Sequence, residues 1–248
     1  MRTYRRPLRD ADAALLAHTR RAQLGDGEDA FIVYEWPASG PTALILHGWG
    51  SSAARFTLLS EALHQRGWRV LALDAPGHGA SPRDSASLPQ FMASLDAATA
   101  HFGRPNALIG HSLGALAIAC RHGNGVPEWA SDLKGVVLIS MPSGAEFLLA
   151  KFIDMLGLSG ATEQRLRRRF AQRFQAEPSA YGSMPGAARI AAPVLLLHDP
   201  DDNIVPWAHS AELFPQLPNA QFITTRGLGH SELTRDPATI ARIVEFLA

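Results

Sequence analysis

Asn106-Ala107-Leu108-Ile109-Gly110-His111-Ser112-Leu113-Gly114-Ala115-Leu116-Ala117-Ile118-Ala119 passes from an apolar run, through a Gly-x-Ser-x-Gly pentapeptide, into a second run of small and apolar residues. The pattern predicts a strand, a sharp turn and a helix, with Ser112 at the apex of the turn. A serine on so tight a turn adopts strained backbone geometry. A side chain at either flanking position would strike the adjoining strand or helix. Gly110 and Gly114 lack a Cβ and remove both clashes. Ser112 would then stand above a sheet edge at the N-terminal end of a helix, whose dipole favours nearby negative charge.

Outward from that turn, strand-like and helix-like runs alternate. This points to an α/β chain: a doubly wound, mostly parallel sheet of about seven or eight strands with helices on both faces. Strands are expected at residues 31–36, 42–47, 69–74, 106–109, 135–139, 194–198 and 221–225. Several are unbroken apolar runs, as strands buried on both faces should be. The first of them is followed by Pro37-Ala38-Ser39-Gly40-Pro41 and is expected to pair antiparallel with the next. No strand is evident before Phe31; residues 8–22 instead place Leu8, Ala11, Leu15 and Ala22 at helical spacing. Further helices are expected at 53–66, 88–102, 112–122, 208–214 and 237–247, the last with Asp236 as cap and Pro237 at its first position. Between Ser140 and Val194 the alternation is interrupted, and 147–156 and 162–174 both read as amphipathic helices. An insertion at about 143–190 is too short for an independent domain. It suits a helical lid over the sheet edge, within a single domain covering 1–248.

The 248 residues suffice for one large core, with 46% apolar and 19% charged. A formal net charge of zero argues against a nucleic-acid binder. No apolar run reaches the length of a membrane span, so no membrane insertion is expected. Cys120 is alone, which leaves no intramolecular disulfide and makes a cytoplasmic location the default. It is expected to be a small buried apolar residue. Charge is unevenly spread: residues 151–190 hold seven Lys or Arg against three acids.

A serine hydroxyl is a poor nucleophile at neutral pH and needs a base within hydrogen-bond reach, itself oriented by an acid. In an open parallel sheet such groups gather at the carboxyl ends of strands. Asp199, Asp201 and Asp202 all follow the strand expected at 194–198, so the acid lies among three carboxylates. Of ten histidines, only His230 combines a post-strand loop, a flanking glycine and a position after those acids. An oxyanion needs two backbone N–H donors. Leu113, next after Ser112, supplies one. His47-Gly48-Trp49-Gly50-Ser51-Ser52 follows the strand at 42–47, and there Trp49 N–H is the expected second donor.

Together these motifs resemble the α/β-hydrolase superfamily over nearly the whole chain, from about Phe31 to Leu247. His47-Gly48-Trp49-Gly50 is similar to its oxyanion loop, Gly110–Gly114 to its nucleophile elbow, and Gly229-His230 to its catalytic histidine turn. Asp74-Ala75-Pro76-Gly77-His78-Gly79-Ala80-Ser81 is similar to its structural D-x-P-G-H-G-x-S turn. His198 to Pro206 resembles its H-G-x-x-D-x-x-V-P string, which implies Asp202 as the acid and departs from it in having Asp199 in place of glycine. Asp199 and Asp201 are then expected to cap and to serve a solvated turn.

The resemblance implies a serine esterase that cleaves small carboxylic esters with Ser112, His230 and Asp202 and needs no cofactor or metal. Thioesterase, lactonase and acyl-carrier-linked ester hydrolase use the same three residues and stay open, as does a slow-turnover small-ligand receptor. Phe147, Leu148, Phe152, Ile153, Leu156 and Leu158 either line an acyl pocket or pack the lid onto the core. The run Arg165-Leu166-Arg167-Arg168-Arg169 suggests a basic lid that could dock an acidic carrier protein, against the plainer alternative of a solvated helix face. A dinucleotide-binding fold is disfavoured, because no G-x-G-x-x-G follows a strand.

Overall fold

A computed structural model describes residues 3, 5 and 7–248. Strands β1 (Arg20–Leu24), β2 (Phe31–Trp36), β3 (Thr42–Leu46), β4 (Arg69–Asp74), β5 (Ala107–His111), β6 (Gly135–Ile139), β7 (Val194–His198) and β8 (Ala220–Thr224) join in one sheet. Their order is β1-β2-β4-β3-β5-β6-β7-β8. β1 and β2 are antiparallel to their neighbours and the rest run parallel. The helices are α1 (Asp10–Ala17), α2 (Thr57–His64), α3 (Leu88–Phe102), α4 (Leu113–Gly123), α5 (Ala145–Met155), α6 (Gly160–Phe174), α7 (Ser183–Ala187), α8 (Ala208–Leu213) and α9 (Pro237–Phe246).

The apolar runs supply both faces of this sheet, because successive side chains along a strand point to opposite sides. Leu44, Leu46, Leu71, Leu73 and Leu108 pack on one side against Phe91 and Leu95 of α3 and Leu116 of α4. Ala43, Ile45, Val70, Ala72 and Ile109 pack on the other against Leu59 and Leu63 of α2 and Ile243 of α9. Each buried leucine contributes roughly 1.5–3 kcal/mol relative to exposure. Helix α9 starts as expected, with the Asp236 carboxylate accepting Thr239 N–H at 2.8 Å.

Three expectations are corrected. The helix near the N-terminus stops at Ala17, and residues 20–24 form an edge strand paired residue for residue with β2, which makes eight strands. β2 does not pair with β3; it lies beside β4. All five residues of β3 are buried, and the strand takes parallel partners on both sides, β4 and β5. The turn at 37–41 therefore carries the chain past β4 rather than making a hairpin. Gly40 allows that passage, since a Cβ there would lie 2.1 Å from the Gly67 carbonyl. Last, the helix expected from residue 53 begins as a 3-10 turn, Ala53–Phe56, before α2.

The segment between β6 and β7 carries α5, α6 and α7, with the first two close to their expected bounds. α7 packs tightly on α4, where a Cβ at Gly186 would overlap the Ala119 carbonyl. Arg167 of α6 reaches Glu146 of α5 at 2.6 Å and Glu163 at 2.9 Å.

Candidate active site

Chain order reverses between β3 and β5: β4 is laid down on one side of β3 and β5 on the other. The crevice beyond the carboxyl ends of two such strands is where open α/β sheets take ligands. The loops leaving these strands are the His47–Ser52 loop and the elbow at Ser112.

Ser112 adopts φ 52° and ψ −117°, a region that costs a side-chain-bearing residue about 1–3 kcal/mol. Its N–H donates to the Ile139 carbonyl at 2.9 Å and its carbonyl accepts Leu116 N–H at 3.0 Å, which pins the turn between β6 and α4. Both flanking glycines are required. A Cβ on Gly110 would stand 2.6 Å from Ala115 Cα, and one on Gly114 2.2 Å from the Leu46 carbonyl.

The neighbouring loop is held by His47 and Asp74. Ala75 N–H can only donate, so His47 Nε2, 3.0 Å away, accepts. Nδ1 therefore carries the hydrogen and donates to the Gly48 carbonyl at 2.7 Å. Because the peptide is trans, fixing that carbonyl turns Trp49 N–H to the opposite side. Gly48 itself lies against Ser112, where a Cβ would be 2.9 Å from Ser112 Cβ. Among the described residues, neither Trp49 N–H nor Leu113 N–H has a hydrogen-bond partner. Asp74 accepts Ala53 N–H and Ala80 N–H, each at 2.7 Å, and burial pushes its carboxyl up to about 6. Gly79, at φ +51°, leaves room for that carboxylate.

Asp202 and His230 meet. His230 Nδ1 lies 2.7 Å from Asp202 Oδ2 and, facing a carboxylate, carries the hydrogen. Nε2 is left as an acceptor. Asp202 Oδ1 accepts Ile204 N–H and Val205 N–H, both at 2.8 Å. Burial alone would push the Asp202 carboxyl up. Hydrogen bonds from His198 and His230 outweigh it and hold the carboxyl well below the usual carboxylate range. His111, adjacent to Ser112, donates from Nε2 to the His230 carbonyl at 2.8 Å, and the two rings lie 4.7 Å apart. Burial lowers His111 to about 3, so it stays neutral and acts as a tie between the elbow and the His230 loop. Ser112 Oγ makes no hydrogen bond to His230 in this conformation. Serine–histidine contacts are often long without substrate and tighten when it binds.

Two side chains matter here in ways their sequence positions conceal. Asp199, expected with Asp201 to cap and to serve a solvated turn, is fully buried. It accepts the Thr225 hydroxyl at 2.7 Å and Leu228 N–H at 2.9 Å, shaping the loop that presents His230. Asp201 is exposed as expected and accepts Gly227 N–H at 3.0 Å. His198 is fully buried beside Asp202, at 3.3 Å. Its place in the motif was visible in the sequence, but not the contact. Cys120 is buried in α4, which pushes its thiol up to about 12. Among the described residues no three His, Cys, Asp or Glu side chains group to hold a metal, and no helix is long and apolar enough to cross a membrane.

A family model described as "Alpha/beta hydrolase family" matches residues 43–243. The pimeloyl-acyl-carrier-protein methyl ester esterase of Chromobacterium violaceum is 30% identical over 225 residues, covering 76% of this chain and 87% of that protein. A non-heme haloperoxidase of Rhodococcus erythropolis is 27% identical, covering 90% and 97%. Among solved structures, an esterase of Pyrococcus furiosus superposes with a TM-score of 0.70 at 21% identity, covering 100% of this chain and 97% of that one.

Proposed function

The chain belongs to the alpha/beta hydrolase family, and from that premise we propose that it cleaves carboxylic esters through an acyl-enzyme formed on Ser112. His230 Nε2 takes the Ser112 hydroxyl proton as Oγ bonds to the ester carbonyl carbon. The carbonyl electron pair moves to oxygen and is held by Trp49 N–H and Leu113 N–H. Collapse expels the alkoxide, which takes the proton from His230. Water then repeats the sequence, giving its proton to His230, and the acid leaves as Ser112 recovers its own. Asp202 orients His230 and balances the imidazolium charge. No metal or organic cofactor enters.

The observation that carries this proposal is the 2.7 Å bond between Asp202 and His230, formed beside a strained serine elbow. Its test is hydrolysis of nitrophenyl esters of increasing chain length. Ser112→Ala is expected to lose at least about a thousandfold in kcat. A variant that kept full activity would refute the assignment. The segment 143–190 acts as the lid in this account, and the reaction is assigned to the cytoplasm.

One surface favours a narrower substrate. Arg165, Arg168 and Arg169 share one face of α6 by their spacing, are exposed, and among the described residues have no ion-pair partner. A relative acts on an ester linked to acyl carrier protein, and an acidic carrier would suit that face. Changing these three arginines to glutamate should slow hydrolysis of carrier-linked esters at low salt and leave nitrophenyl ester turnover alone. Equal effects on both substrates would remove this narrower proposal.

A further inference from the structure

His198 closes β7 four residues before Asp202, and no part of its side chain reaches solvent. Both ring nitrogens are engaged. Nδ1 lies 2.7 Å from Ser210 Oγ on α8. Nε2 lies 3.0 Å from the Val205 carbonyl and 3.3 Å from Asp202 Oδ2. A carbonyl and a carboxylate only accept, so Nε2 carries the hydrogen and shares it between them, while Nδ1 accepts the Ser210 hydroxyl. That tautomer satisfies the neutral ring completely.

Asp202 is therefore surrounded by four N–H groups. Two backbone donors fix Oδ1, and Oδ2 receives a short bond from His230 and a longer, shared one from His198. Resting on the Ser112, His230 and Asp202 assignment above, we propose that His198 is a positioning residue that fixes the direction of Asp202 Oδ2 and draws off part of the negative charge Asp202 presents to His230. The distances set the balance: at 2.7 Å His230 remains the main partner, and at 3.3 Å His198 is a moderating one. A hydrogen bond donated to a carboxylate stabilises its charged form and makes it a weaker partner for a neighbouring imidazolium. Without His198, Asp202 would hold protonated His230 more strongly.

Other charged and titratable groups surround the pair. His111 lies against the His230 ring, His209 belongs to α8, Arg55 pairs with Glu232, and Asp199 and Asp201 hold the 225–229 turn. A substitution at 198 leaves all of them in the chain.

Asparagine at 198 keeps an amide near Ser210 and removes the donor at the Nε2 position; glutamine reaches that position and retains a donor. The measurement is the pH profile of kcat/KM on a nitrophenyl ester. His198→Asn is expected to move the acid limb upward by about 0.5 unit, and His198→Gln to stay within about 0.2 unit of the parent. A packing role alone would lower kcat in both variants and move neither limb; that result, or equal shifts in both, overturns the proposal. A second arm needs no variant. Nitrogen NMR of the parent protein should find His198 with Nε2 protonated and Nδ1 bare, and the opposite tautomer overturns it. Retained turnover in Ser112→Ala would instead overturn the triad itself, whatever the 198 variants do.

Discussion

Asparagine at position 202 is nearly the shape of aspartate, yet the surroundings of Asp202 dictate which way its amide must point. Ile204 N–H and Val205 N–H both donate to Oδ1 at 2.8 Å. The amide oxygen must take that place, which puts the NH2 where Oδ2 stood. There it faces His230 Nδ1, 2.7 Å away in the parent. Two N–H groups cannot face one another, so the imidazole shifts its hydrogen to Nε2. That nitrogen can no longer receive the Ser112 proton. A wrong tautomer of this kind lowers kcat by about 10⁴, or about 5.5 kcal/mol of transition-state stabilisation. Since the Asp202 side chain is wholly buried, KM should change little. The assay is steady-state hydrolysis of a nitrophenyl ester by Asp202→Asn, with circular dichroism to check the fold. A kcat within about tenfold of the parent would show that Asp202 does not set the His230 tautomer.

Two further outcomes follow from the buried groups and the elbow. His47, His78 and His111 are held neutral, chiefly by burial, with His78 at about 4, His111 at about 3 and His47 well below 6.5. Their folded values lie below the unfolded one, so the stability they contribute is present above about pH 6.5 and lost as pH falls. By pH 5 His78 and His111 cost about 2 kcal/mol each, and His47 acts in the same direction. Asp74, raised to about 6, works the other way over the same range and offsets about 1 kcal/mol. Denaturant unfolding should therefore show at least about 2 kcal/mol less stability at pH 5 than at pH 7; a change below about 1 kcal/mol contradicts these environments. Gly114→Ala forces a Cβ to 2.2 Å from the Leu46 carbonyl and should cost about 3 kcal/mol or more, read as a lowered melting temperature together with lost activity. Parent-like melting and turnover would mean that the elbow is looser than its geometry implies.

The elbow is legible in the sequence because its requirement is one of space. Gly110 and Gly114 are the residues that fit between β5, α4 and the end of β3, and that need appears as a motif. Buried parallel strands are legible because both faces are apolar. β1 is not, since Arg20-Arg21-Ala22-Gln23-Leu24 forms a half-exposed edge joined to β2 along its backbone, which asks little of its side chains. Nor is the exchange that puts β4 beside β2, because a five-residue turn serves a hairpin or a crossing equally well. At the site, Ser112 and His230 stand out by the glycines around them. Asp199 and His198 do not, because a buried carboxylate and a buried imidazole look like ordinary turn residues until their partners in the turn after β8, on α8 and in the Asp202 loop are brought to them.

The central claim, that Ser112 is the nucleophile, is tested most directly by mass spectrometry of the protein after treatment with a fluorophosphonate. The account predicts one phosphonyl adduct, on the peptide containing Ser112, formed rapidly in the parent and absent from Ser112→Ala. An adduct on another residue, or equal labelling of the alanine variant, would contradict it.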